Sequence, residues 1–140
     1  ADYFLTGGMV LHLLKFKRIL RLFLIGAIGY TLLEIIWRGH THWTMSLTGG
    51  VCFILIYFIW RRLRFAPWYR ICLCCAAAVT GVEFAVGCIV NLLLGWNVWN
   101  YEQMPLHLFG QICPLFSILW FFLSALLLPL CRLLKKKGIC

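Results

Sequence analysis

The feature that most constrains this chain is a set of four long apolar runs, nearly empty of charge inside and bounded at one end by Lys and Arg. They cover residues 19–37, 45–60, 71–95 and 106–131. A helix crosses the hydrocarbon of a bilayer with about 20 consecutive apolar residues, and lipid forces each spanning backbone to satisfy its own hydrogen bonds. The run 45–60 is short, and the run 71–95 is long enough to tilt. The expected fold is therefore all-α: a polytopic membrane protein with a four-transmembrane-helix bundle made of two hairpins, in a single membrane domain over residues 1–140. Composition agrees, because 64% hydrophobic and 12% charged residues leave too little polar surface for a water-soluble domain of 140 residues.

Residues 1–14 read as an interfacial helix or a non-native remnant. They carry no cleavage-site pattern of the kind that ends a signal peptide.

The formal charge of +9 does not point to nucleic acid. A nucleic-acid binder spreads its cations over one polar face, whereas here they fall in clusters beside apolar runs. Lys15, Lys17, Arg18 and Arg21 open the first run, Arg61, Arg62, Arg64 and Arg70 follow the second, and Arg132, Lys135, Lys136 and Lys137 follow the fourth. With both chain ends on the cytoplasmic side, every Lys and Arg except Arg38 lies there, as the positive-inside rule requires. Trp37, Trp43, Trp96, Trp99 and Tyr101 mark the opposite interface, and Trp60, Trp68 and Tyr69 mark the inner one.

The eight cysteines lie in or beside apolar runs, apart from Cys140 in the basic tail, and read as small hydrophobes. Cys72, Cys74 and Cys75 fall on one helix without the spaced second pair that structural zinc uses.

Polar groups inside the spans are the site candidates, because lipid penalises them. Glu83 shares a helical face with Thr80, Gly87 and Asn91, and the first helix carries Gly26, Tyr30, Glu34 and Arg38 at four-residue intervals. The fourth run offers Gly110, Gln111, Pro114, Ser117 and Ser124, with Pro114 expected to kink it. Together with His40, His42, Asn97, Asn100, Glu102 and His107, these residues suggest a polar cavity open to the outside and closing near Glu83. The competing reading is a structural network that sets helix register, with a protonated Glu83 bonded to Asn91 or Gln111. His40 and His42, with Glu34 and His107, are metal-ligand candidates for zinc or copper. Histidines beside tryptophans are equally at home as interfacial residues. No cofactor is expected, and no hydrolase or P-loop signature is present. The two hairpins also share a faint likeness (Glu34 with Glu83, Met45 and Gly49 with Met104 and Gly110) that chance explains as well as an internal repeat does.

One resemblance extends from residue 22 to residue 122. Glu83, Gly87, Asn91 and Gly95 stand as E-x3-G-x3-N-x3-G, Trp99, Asn100 and Tyr101 as W-(D/N)-Y, and Gly110, Gln111, Ile112 and Cys113 as G-Q-I-C. With Leu33, Glu34, Trp37, Arg38, His40, His42, Trp43, Gly49 and Gly50, this pattern resembles the CmpB-like family, named as ABC-transporter permeases and found in many Gram-positive bacteria. The chain has Asn100 where members resemble W-D-Y. The resemblance implies a bacterial cytoplasmic-membrane component with a role in transport.

The leading expectation is a transport component for a small solute or ion. Its substrate-binding candidates are Glu83, Asn91, Gln111, Glu34, Arg38, His40, His42, Trp99 and Tyr101. Two alternatives stay open: a non-catalytic assembly or regulatory subunit, and an enzyme acting on a lipid-linked substrate, marked by a lateral opening beside His40 and Glu34. Expected partners are the lipid bilayer and either a second copy or another membrane subunit. Gly26, Gly29, Gly81 and Gly87 are candidates for close helix contacts.

Overall fold

The computed structural model describes residues 2–140, with side chains from residue 7 onward. Four helices make up the fold: α1 (Asp2–Arg38), α2 (Trp43–Arg62), α3 (Trp68–Gly87) and α4 (Pro114–Lys136). Helix α3 runs on into a π-helical segment, Cys88–Leu93. All four are long and apolar enough to cross a membrane, and among the described residues there is no strand, only an isolated bridge between Leu108 and Ile112. Side chains such as Ile28, Leu32, Ile36, Leu73, Phe122 and Leu126 are exposed on the helix surfaces. So much outward apolar surface is stable in lipid and not in water.

Helix ends follow local chemistry. The extended His42 caps α2, its Nδ1 accepting from the Thr44 N–H at 3.3 Å. Pro67 precedes α3. Pro114 does not kink a longer helix as expected. It occupies the first turn of α4, where its missing N–H costs nothing, so the fourth helix starts eight residues later than the apolar run from 106 implied. Beyond α4, Gly138 takes a left-handed φ of 66° and the Ile139 N–H returns to Leu134 O at 3.1 Å. Arg21 of α1 donates to Ile139 O at 3.1 Å, tying the two basic ends together. Residues 2–14, within the stretch that reads as an interfacial helix or a non-native remnant, are part of α1.

The tightest packing is between α1 and α2. A Cβ on Gly26 would meet Gly49 O at 2.6 Å and collide with Phe53, and one on Gly50 would meet the Phe23 ring at 2.5 Å. These glycines let the backbones approach as small residues do in membranes. Gly87 is equally confined, against Gln111 and Trp99, whereas Gly29 and Gly81 face open space. The sequence reading missed Gly49 and Gly50 as contact residues.

Helix α1 packs on α2, α2 on α3, and α3 on α4, while no Cα of α1 comes within 8 Å of a Cα of α4. The hairpins α1–α2 and α3–α4 thus meet through α2 and α3 and leave a seam between the first and last helices. Leu22, Phe53, Ile56, Tyr57, Val79 and Leu128 form the main core, toward the basic end. Trp60, expected in an aromatic belt, is buried there against Tyr57. Cys52, Cys72, Cys75, Cys113, Cys131 and Cys140 are buried as free thiols. Burial pushes the Cys140 thiol upward, against the lowering pull of Arg18 and Arg21.

The π segment leads into a folded loop, residues 94–113. Asn97, Leu106 and Phe109 have positive φ, as do Gly95 and Gly110. Such backbone in bulky residues is held by surrounding bonds, here Tyr101 N–H to Gly110 O at 2.8 Å and Leu108 N–H to Ile112 O at 2.9 Å. Met104 and Gly110 lie in this loop while Met45 and Gly49 lie in α2, so the likeness between the hairpins has no structural counterpart.

Candidate functional site

Three devices carry the polar side chains. On α1, the four-residue spacing brings Arg38 Nη1 to Glu34 Oε1 at 3.1 Å, and the turn after the helix brings the Thr41 hydroxyl to Glu34 Oε2 at 3.0 Å. The other guanidinium nitrogen of Arg38 donates to Val98 O at 3.0 Å, so the pair also anchors the distant loop. Glu34 is therefore buried with both oxygens bonded.

The π segment of α3 is the second device. It carries Asn91, which the four-residue spacing sets on the same face as Glu83 and Gly87. Asn91 Nδ2 donates to Gln111 Oε1 at 2.8 Å, and Asn91 Oδ1 accepts the Val98 N–H at 2.7 Å. Gln111 Nε2 donates to Phe109 O, and Trp99 Nε1 to Gln111 O. Asn91 and Gln111, candidates in the sequence both for substrate binding and for a structural network, bond to each other and to the loop. Trp99 is buried and carries one wall. Asn100, standing where an aspartate was expected from the family pattern, accepts the Glu102 N–H at 2.8 Å, a bond that either side chain makes.

Glu83, one turn before the π segment, is the third. Its Oε1 accepts from the Tyr101 hydroxyl at 3.0 Å and its Oε2 from Trp120 Nε1 at 3.3 Å. Tyr101 stacks on Phe116 with ring centres 4.6 Å apart, and Trp120 stacks on Tyr30 at 5.8 Å. Burial, then the nearby Glu83 carboxylate, push the Tyr101 hydroxyl above its ordinary range, so it remains a proton donor. Among the described residues the sole ion pair is Glu34 with Arg38, which leaves Glu83 without a cation.

These groups surround a cavity of about 580 Å³ between α1 and α4. Glu34, Arg38, Glu83, Asn100 and Tyr101 form its polar part, and Tyr30, Trp99, Phe116 and Trp120 its aromatic wall. Leu33, Trp37, Leu119, Phe122, Leu123 and Leu126 line its lateral side. The seam between α1 and α4 is what opens it sideways.

The histidines are placed elsewhere. His40 Nδ1 lies 3.1 Å from Arg38 O, His42 caps α2, and His107 Nδ1 accepts the Gly110 N–H at 3.0 Å. Neither His40 nor His42 lines the cavity. Among the described residues no three His, Cys, Asp or Glu side chains are grouped to hold a metal ion, so the candidate ligands His40, His42, Glu34 and His107 are not gathered into one site.

Sequence reasoning found Glu83, Glu34, Arg38 and Tyr101 but not Trp120, Tyr30 or Phe116 as their partners. Trp120 offered one signal: a tryptophan in mid-span, remote from either interface, must bury its N–H against an acceptor.

No curated protein and no solved structure matches the chain. The family described as "Putative ABC-transporter type IV" matches residues 44–138, which include α2 from its second residue, α3, the bonded loop and all of α4. With that match over most of its length, the chain belongs to this family of membrane proteins.

Proposed function

We propose that the protein is a transport component that admits a small solute or ion to the cavity between α1 and α4 from the non-cytoplasmic side. The observation that carries this reading is Glu83, a buried carboxyl on the cavity wall with two neutral donors and no cation. Glu83 is the deep acidic ligand. Glu34 with Arg38 forms the outer pair, and Asn91 with Gln111 holds the loop that lines that end. In this reading both chain ends lie in the cytoplasm of a bacterial cell, and the basic clusters at that end support it.

The enzymatic alternative needs His40 or His42 beside a carboxylate, and their absence from the cavity lining weighs against it. The assembly-subunit alternative draws support from the saturated Asn91–Gln111 network, which needs no ligand to explain it.

The test is flux through the protein reconstituted in liposomes, with small organic and inorganic cations as trial solutes. Glu83→Gln keeps the size and one acceptor oxygen but removes the charge. The expected result is loss of at least about tenfold in flux, the scale on which a desolvated charge contact acts. Equal flux in the variant and the parent sinks the assignment of Glu83. A parent that moves none of the solutes, yet co-purifies with another membrane subunit, favours the assembly role.

A further inference from the structure

We infer that the cavity takes an amphipathic organic cation, one with an apolar body, which enters sideways from the bilayer through the seam between α1 and α4. This rests on the transport reading and names its substrate class.

Charge sets the sign of the ligand. Of the three ionisable groups with formal charge on the cavity wall, Glu34 and Arg38 neutralise each other at 3.1 Å, and Glu83 is left over. Its oxygens meet only the hydroxyl of Tyr101 and the indole N–H of Trp120. Tyr30, Trp99, Phe116 and Trp120 line the same cavity. A carboxylate in an aromatic-lined cavity suits a bulky, weakly hydrated cation such as a quaternary ammonium, because ring quadrupoles attract it as well. A strongly hydrated metal ion wants several oxygen ligands, which this wall does not offer.

Shape sets the apolar body and the route. With no Cα of α1 within 8 Å of α4, the lateral side of the cavity is walled by side chains and not by packed backbone. Trp37 and Leu126 on that side are each 75% exposed, and Phe122 is 59% exposed. In a membrane that exposure faces lipid. A ligand that keeps its cation at Glu83 thus has an apolar path beside it, continuous with the hydrocarbon. A volume of about 580 Å³ holds a head group with part of a chain and is far larger than a bare ion needs.

The probes are decyltrimethylammonium, its anionic counterpart decyl sulfate, and tetramethylammonium, the head without the chain. Each is titrated below its micellar range against the full chain in phosphatidylcholine nanodiscs, with empty nanodiscs subtracted. Saturable quenching of tryptophan emission is the readout, since Trp37, Trp99 and Trp120 line the cavity. Decyltrimethylammonium is expected to bind at least about tenfold more tightly than either of the other two, and Glu83→Gln to remove that advantage. Leu123→Trp, which narrows the seam without touching a charged group, is expected to weaken decyltrimethylammonium and spare tetramethylammonium. It keeps the test alive if the Glu83 variant does not fold.

Equal binding of decyl sulfate overturns the inference. So does a decyltrimethylammonium affinity unchanged by Leu123→Trp. No saturable binding, together with a dimer that Leu123→Trp dissociates, gives the seam to a second copy and also overturns it. Tetramethylammonium flux that depends on Glu83 but has no preference for the longer cation leaves the transport reading standing without this one. Selective binding with no flux of any solute does the reverse.

Discussion

Glu83 and Asn91 are both polar, both on α3 and both buried, yet they do different things. Every polar atom of the Asn91 side chain that bonds does so within the loop network, where one bond partner is a backbone amide and the other is Gln111. Removing it leaves buried groups unpaired, the costly case for a hydrogen bond. Asn91→Ala is therefore expected to lower stability by about 1–2 kcal/mol, with cation binding impaired only as far as the loop loosens. Thermal unfolding in detergent and the affinity measurement, made on the same preparation, separate these effects. A normal melting temperature with lost binding makes Asn91 a ligand after all. Glu83→Gln carries the opposite expectation, since the amide oxygen still accepts from one of Tyr101 and Trp120 while the charge is gone.

At the level of elements, the α1–α2 hairpin depends on the absence of side chains at one crossing. Gly26 lies against Gly49 and Phe53, and Gly50 against Phe23, at separations that admit no extra carbon. Gly26→Ala forces the helices apart or the side chains off their rotamers, at about 1–3 kcal/mol. Gly29→Ala and Gly81→Ala add a methyl where nothing lies within 4 Å and serve as controls, expected within about 0.5 kcal/mol of the parent. Chemical denaturation of the three variants side by side checks this, and an equal loss in Gly29→Ala argues that the glycines meet a neighbour outside the chain. The π segment shows the same dependence on local geometry. It carries Asn91, which bonds to the loop, and the loop in turn delivers Tyr101 to Glu83.

For the whole molecule, four spans put both chain ends on one side, and the proposed reading takes the basic clusters to mark that side as cytoplasmic. Single cysteines placed at Lys137 and at His107, in a variant lacking the natural thiols, test the assignment with a membrane-impermeant maleimide. Labelling at 107 in intact cells, and at 137 only after the membrane is opened, is the expected pattern; the inverse pattern reverses the orientation and the proposed direction of entry. Arg38 is the one cation on the far side, and it is also the one paired with a carboxylate and a loop carbonyl. Its charge is thus used within the fold and takes no part in the inside–outside bias.

Hydropathy and charge pattern by themselves determined the solvent, the number of spanning helices and the sidedness expected of them. Those properties follow from transfer of each residue between water and lipid, which is local and nearly additive along the chain. The spacing of Glu34 and Arg38 likewise foretold their bond, because a four-residue interval is fixed by the helix alone. Tertiary structure decided what lay between segments. The apolar stretch from 106 reads as helix by hydropathy, but positive φ values and bonds to Gly110 and Ile112 make it a loop as far as Cys113. Gln111 looked like a ligand because its partner, Asn91, is 20 residues away and meets it only in the folded chain. Trp120 was invisible as a donor for the same reason, its acceptor lying on another helix. The open seam between α1 and α4, on which the choice of ligand rests, depends on how the two hairpins lean together. That lean is set where α2 meets α3, and no periodicity in the sequence records it.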